Sequence, residues 1–146
     1  EPVADIVALS SHLHGVSIGG DIIPRLIDEV PVLGVAAMFA SGTTTIRDAA
    51  ELRVKESDRI AEICRGLSSL GVGVEELPDG LIIHGGATRI EPAVLDAHGD
   101  HRLAMAWAIA GLRSTGTCRV NDAQSASVSY PAFWDELARF QESSDA

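Results

Sequence analysis

The chain has 146 residues, 46% of them hydrophobic and 22% charged, a globular composition long enough to bury about two-thirds of the surface its unfolded form exposes. Eleven basic side chains against 21 acidic ones, a formal net charge of −10, exclude non-specific binding to nucleic acid or to an anionic membrane, both of which need an excess of Lys and Arg. Aromatics make up only 4%, so Ala, Val, Ile and Leu must build the core.

In chain order, "EPVADIVALSSHLHG" begins without Met or a capped helix and runs straight into alternation. It reads as two short strands, residues 5–10 and 16–19, and as the C-terminal part of a longer protein. In "IDEVPVLGVAAMFASG", Asp28 and Glu29 fall in a first helical turn, where acids complement the dipole, and Pro31 is tolerated there. Residues 30–40 are apolar nearly all round, which predicts a buried helix, and Gly42 stops it. "TTTIRDA", residues 43–49, is β-branched and reads as a strand. From Ser57, apolar residues at Ile60, Ile63, Cys64, Leu67 and Leu70 recur with a period near 3.6, predicting an amphipathic helix that Gly71 terminates. "VGVEEL" and "LIIHGG" flank Pro78-Asp79-Gly80 and read as a hairpin.

A second pass follows. "IEPAVLDAH" is extended, "GDHRLAMAWAIAGLRS" is another nearly all-apolar helix, "GTCRVND" is a strand, and residues 131–140 form an amphipathic helix with Phe133, Trp134, Leu137 and Phe140 on one side. The tail after Gln141 is expected to fray. "GTTTIRDA" at 42–49 aligns with "GTCRVNDA" at 116–123 at an offset of 74. Repetition of this kind means stacked equivalent units, here residues 1–86 and 87–146, with the hairpin present only in the first. Cys64 and Cys118 read as two buried thiols without metal-ligand spacing, no run of 18 apolar residues is present, and no leader peptide is expected. A soluble, reducing, cytoplasmic setting is expected.

Each apolar helix is charged only where it begins. Asp28 opens the first and Asp100-His101-Arg102 the second; between them the amphipathic helix opens with Lys55-Glu56, and Arg59 follows one turn later. Equivalent units put equivalent helix ends on one side of a domain, so these three starts are expected to converge. Helix N-termini favour anions, and Lys and Arg there add full charge and bidentate donors. The combination reads as an anion site with acids placed inside it. Blander roles stand beside it: Asp28 as a cap, Lys55 and Arg59 in a solvated network with Glu51, Glu56 or Asp58, and His101 held by a backbone group. Asp48, Asp58 and Asp122 fit turns or caps.

"LRVKESDRI" at 52–60 and "GDHRLAMA" at 99–106 resemble the two C-terminal signatures of the 5-enolpyruvylshikimate-3-phosphate synthase family, and "GGDIIPRLIDEVPVLGVAAMFASGTTTIRDA" is also similar to that family. The resemblance covers residues 4–140. It implies an α/β (α+β) enolpyruvyl transferase-like domain of repeated βαβαββ units, of which this chain carries about two, one incomplete. It also implies transfer of the enolpyruvyl group of phosphoenolpyruvate to the 5-hydroxyl of shikimate 3-phosphate, on the route to chorismate and aromatic amino acids, without a metal or organic cofactor. By resemblance, Asp28 is the base at the 5-hydroxyl and Glu56 the carboxylate serving the methylene carbon. Lys55 lies near shikimate 3-phosphate and the reaction centre, Arg59 and Arg102 clamp phosphoenolpyruvate, and His101 is a nearby donor. The implied partner is the missing N-terminal part of the same enzyme, and the chain alone is expected to be inactive.

Two positions depart from the pattern. Val128 stands where many members carry a phosphate-contacting Lys, and Glu51 stands where some carry a substrate-binding Asn. The rival readings are a transferase acting on UDP-N-acetylglucosamine, which shares the fold, and a non-catalytic anion-binding or assembly domain.

Overall fold

The computed structural model describes residues 3–144. Strand β1 (Ser17–Ile18) leads through a 3-10 turn (Gly20–Ile22), the short helix α1 (Ile23–Leu26) and a second 3-10 turn (Ile27–Glu29) into α2 (Val30–Phe39) and β2 (Thr43–Ile46). A 3-10 segment (Ala50–Val54) precedes α3 (Arg59–Ser69) and the hairpin β3 (Gly73–Leu77) and β4 (Gly80–His84). Then come β5 (Val94–Asp96), α4 (His101–Gly111), β6 (Arg119–Asn121), a 3-10 segment (Ala123–Val128) and α5 (Phe133–Ser144).

The first sheet has the order β1-β2-β4-β3: β1 runs parallel to β2, and β4 is antiparallel to both β2 and β3. The second is the parallel pair β5-β6. Each parallel pair is joined through an apolar helix, α2 (preceded by the short α1) in the first and α4 in the second, because parallel neighbours need a crossover. A left-handed turn residue follows each pair: Asp48 at φ 59° and Asp122 at φ 55°, 74 positions apart.

The local reasons are those of the residue pattern. In β2 the pleat turns Thr44 and Ile46 inward, and Ile46 meets Leu81 of β4. The hairpin turn brings Gly80 against β2 so closely that a Cβ there would lie 1.9 Å from the Ile46 carbonyl oxygen. On α3, Ile60, Ile63 and Leu67 are fully buried, each contributing about 1.5–3 kcal/mol of transfer free energy. Gly71, at φ 82°, ends the helix in the left-handed conformation expected of that position. The core lies between the first sheet, α2, α3 and α4. Its largest fully buried side chain is Trp107 of α4, whose indole N–H donates to the Asp96 carbonyl at 3.2 Å.

Five expectations change. Residues 5–10 form no strand; Val3, Ile6, Val7 and Leu9 are between 81% and 98% exposed. Alternation makes a strand only where a neighbour completes its ladder, and no described backbone group pairs with residues 3–12. The strand expected at 43–49 ends at Ile46, because Asp48 turns the chain. Cys118 is half-buried rather than buried, since it precedes β6 at the margin of the smaller sheet; Cys64 is buried. The apolar helices are covered on one side more than the other: Val32 of α2 is 45% exposed and Ile109 of α4 is 36% exposed. Helix α5 continues past Gln141 to Ser144, and the remainder of the expected tail lies outside the described residues. No described helix is long and apolar enough to cross a membrane.

Candidate functional site

Three helix starts meet at one guanidinium. Arg59 is the first residue of α3, and its side chain is only 1% exposed. Its Nε and Nη2 donate to the two carboxylate oxygens of Asp100, at 2.7 and 3.2 Å. Its Nη1 donates to Asp28 Oδ1 at 2.9 Å, and its Nη2 also donates to Glu56 Oε2 at 2.7 Å. A buried arginine needs such compensation, because an unpaired charge out of water is costly.

Each partner is placed by its own element. Asp100 is the N-cap of α4, and its carboxylate also accepts from the backbone N–H groups of Arg102 and Leu103 and from Ser57 Oγ. It is fully buried. Asp28 lies in the 3-10 turn before α2 and does not cap that helix; its carboxylate bridges Arg59 and Arg102, the latter at 3.4 Å. Arg102 also reaches the Asp28 carbonyl and the Glu29 carboxylate, both at 3.2 Å. Asp58 is the N-cap of α3 and accepts from Ala61 N–H, the cap role expected of it.

The sequence therefore brings Asp28, Glu56, Arg59 and Arg102 into one connected cluster. Lys55 stands at its margin, paired with Glu51 at 2.7 Å, which is the local pairing weighed for it and gives the unassigned Glu51 a structural partner. His101 opens α4 half-buried beside Asp100, and its ring makes no hydrogen bond among the described residues. Val128 is 77% exposed at the end of its 3-10 segment, outside the cluster.

Sequence reasoning set Asp100 at the converging start of the second apolar helix and Glu29 in the first turn of the first, but gave neither a role at the site, and it gave Ser57 none. Asp100 sits inside the motif "GDHRLAMA", where its position before an apolar run reads fully as a cap. Its second role, gripping an arginine 41 positions earlier, leaves no local trace.

The electrostatics follow from these contacts. Burial pushes the Asp28 carboxyl up, but the Arg59 hydrogen bond and the charges of Arg102, Arg59 and Lys55 together hold it below the usual carboxylate value. Burial pushes Asp100 up as well, and the Arg59 hydrogen bond and charge, with the backbone donors of Arg102 and Leu103, bring it below its ordinary value. Burial works against the Arg59 cation, and its carboxylate partners more than restore it. Both aspartates are thus anions, and Arg59 a cation, at neutral pH. Across the cluster and its margin, Lys55, Arg59 and Arg102 face Asp28, Glu29, Glu51, Glu56 and Asp100, so the cluster is acid-rich. A hollow of about 270 Å³ opens beside Asp28 and Arg102, walled by Pro31, Met105 and Phe133.

The family model for EPSP synthase (3-phosphoshikimate 1-carboxyvinyltransferase) matches residues 1–137. The chain belongs to the EPSP synthase family. A 3-phosphoshikimate 1-carboxyvinyltransferase of Roseiflexus sp. (strain RS-1) is 57% identical over 142 residues, covering 97% of this chain and 33% of that protein. One of the same name from Gloeobacter violaceus is 55% identical over 142 residues, again with 97% and 33% covered. Among solved structures, an EPSP synthase from Acinetobacter baumannii superposes with a TM-score of 0.82 at 38% identity, covering 88% of this chain and 30% of that one. This EPSP synthase-family chain thus spans about a third of the length of the curated relatives it matches.

Proposed function

We propose that this chain acts as part of a longer protein that transfers the enolpyruvyl group of phosphoenolpyruvate to the 5-hydroxyl of shikimate 3-phosphate. The observation that carries the reading is the meeting of Asp28, Glu56 and Arg102 around Arg59, from three separate helix starts. Family membership supports the substrates, since both relatives described above are named for this reaction.

The chemistry asks for a base and an acid on either side of the reacting carbon atoms. In the proposed step, Asp28 takes the proton of the 5-hydroxyl as its oxygen bonds to the central carbon of phosphoenolpyruvate. Glu56 gives a proton to the methylene carbon, which becomes a methyl group. The tetrahedral adduct then loses phosphate by cleavage of its carbon–oxygen bond, and the methyl group returns a proton, restoring the double bond. The ionised state of Asp28 suits the first transfer. Arg59 and Arg102 are bidentate donors suited to a carboxylate or phosphate.

Both arginines are engaged by carboxylates, so a bound anion must take over one of those contacts. The Glu56–Arg59 pair is the natural one to yield, because the Glu56 side chain is 47% exposed. Once released, Glu56 has to take up a proton from solvent before it can give one to the methylene carbon as the acid. The acid-rich balance of the cluster supports a further expectation, that the remainder of the longer protein supplies added cations and that this chain alone has no transferase activity. Residues 1–86 and 87–146 are proposed as successive repeats, with Lys55 and His101 as substrate-binding residues. Two cysteines without a disulfide among the described residues suit a cytoplasmic setting.

The test is phosphate release by the full-length protein given phosphoenolpyruvate and shikimate 3-phosphate. Asp28→Asn is expected to lower kcat by about 10²- to 10⁴-fold, the usual worth of a general base. No release by the wild type, or release only with a UDP-amino sugar as acceptor, overturns the reading.

A further inference from the structure

Lys55 and Glu56 lie on a bend, residues 55–57, that belongs neither to the 3-10 segment before it nor to α3 after it. An irregular stretch does not aim side chains unless its two ends are fixed. Arg53 fixes both. Its Nη1 donates to Asp58 Oδ2 at 2.8 Å, spanning the bend from the residue before Val54 to the cap of α3. Its Nε donates to the Pro78 carbonyl at 2.8 Å, and its Nη2 donates to the Leu77 carbonyl at 2.7 Å and to Glu76 at 2.9 Å. The hairpin turn it grips is itself tied back: Ala49 N–H donates to the Asp79 carbonyl at 2.7 Å and Asp48 N–H to Asp79 Oδ2 at 3.0 Å. The other oxygen of Asp58 caps α3, the helix that begins with Arg59.

We propose that Arg53 is a positioning residue for the reaction read above, a clasp across residues 55–57 that sets Glu56 and Lys55 against Arg59 and Asp28. The inference rests on that reading of the reaction. Only a planar fork with several donors suits the place, because two carbonyls and two carboxylates must be met at once from one side chain. Arg53 touches none of Asp28, Glu56, Arg59 or Arg102 in the described contacts, so its effect on them passes through the bend.

The test uses the full-length protein with two substitutions, Arg53→Ala and Asp58→Ser. The second keeps a good helix cap but is too short to reach Arg53, so it breaks the clasp with α3 intact. Two readouts are taken: hydrogen exchange of amides 54–57 without substrates, and kcat with both substrates saturating. Faster exchange at 54–57 is expected in each variant, with kcat lowered about 10- to 100-fold, the scale of a small misplacement of reacting groups. The double variant is expected to be no slower than the slower single one, because both remove the same contact. Unchanged exchange, a kcat within about twofold of wild type, or additive losses in the double variant each overturn the clasp. A wild type without transferase activity overturns the reaction reading, and the proposal with it; an active wild type whose variants keep their kcat overturns the proposal alone.

Discussion

Replacing Asp100 by Ala removes the carboxylate that meets Arg59 at 2.7 and 3.2 Å and caps α4. Both side chains are buried, 0% for Asp100 and 1% for Arg59, so water cannot take the lost partner's place without opening the core. Breaking such a pair by deleting one member costs about 3–5 kcal/mol, because the other charge stays buried. Loss of the cap adds about 1 kcal/mol. Asp28 and Glu56 still face Arg59, but their side chains are 41% and 47% exposed, and solvent weakens what they return. A net loss of about 3–5 kcal/mol is expected, a fall in Tm of about 6–20 °C for a chain of this size. Asp100→Asn keeps a cap and an acceptor and is expected to cost less, about 1–3 kcal/mol. Urea unfolding of the chain reads both variants through Trp107, which is 1% exposed on the same helix. A loss below about 1 kcal/mol in Asp100→Ala would refute the claim that this carboxylate compensates Arg59.

Acid should loosen the same cluster. Asp28 and Asp100 have folded-state values below their unfolded ones, so the stability they contribute is complete above about pH 4 and is lost as pH falls through the folded values. The urea midpoint should therefore drop below about pH 4, and less steeply in Asp100→Asn. Gly66→Ala puts a Cβ 2.3 Å from Cζ2 of the Trp107 ring, which has no room to swing; overpacking of about 1–3 kcal/mol is expected in the same melts, and a neutral result would show that α3 and α4 can part. Burial pushes the Cys64 thiol up to about 11, so a thiol reagent at pH 8 should modify half-buried Cys118 first and Cys64 only on unfolding. Equal rates in the folded chain would contradict the packing of α3.

Much of the site was open to reading because its parts are local. The apolar runs before Gly42 and after Asp100 are helices, and the charges that open them are where the runs begin. Lys55 and Glu56 came from a motif whose order survives any packing. The first strand failed for a matching reason: residues 5–10 carry a short apolar run, but a ladder needs a second chain segment, and none of the described residues provides it. Arg59 was read as an anion clamp, and the structure adds that its donors already meet Asp28, Glu56 and Asp100.

The amino-acid order by itself determined the helices α2, α3 and α4, the hairpin, the match of residues 42–49 with 116–123 and the charged residues at each helix start, because period, caps and turns are properties of neighbours along the chain. Only the packed molecule decided that Arg59 would be buried, that Asp100 would hold it, and that Asp28 would bridge it to Arg102. Those partners lie 31, 41 and 74 positions apart, and a buried charge chooses its partner by what lies within reach once the helices are stacked.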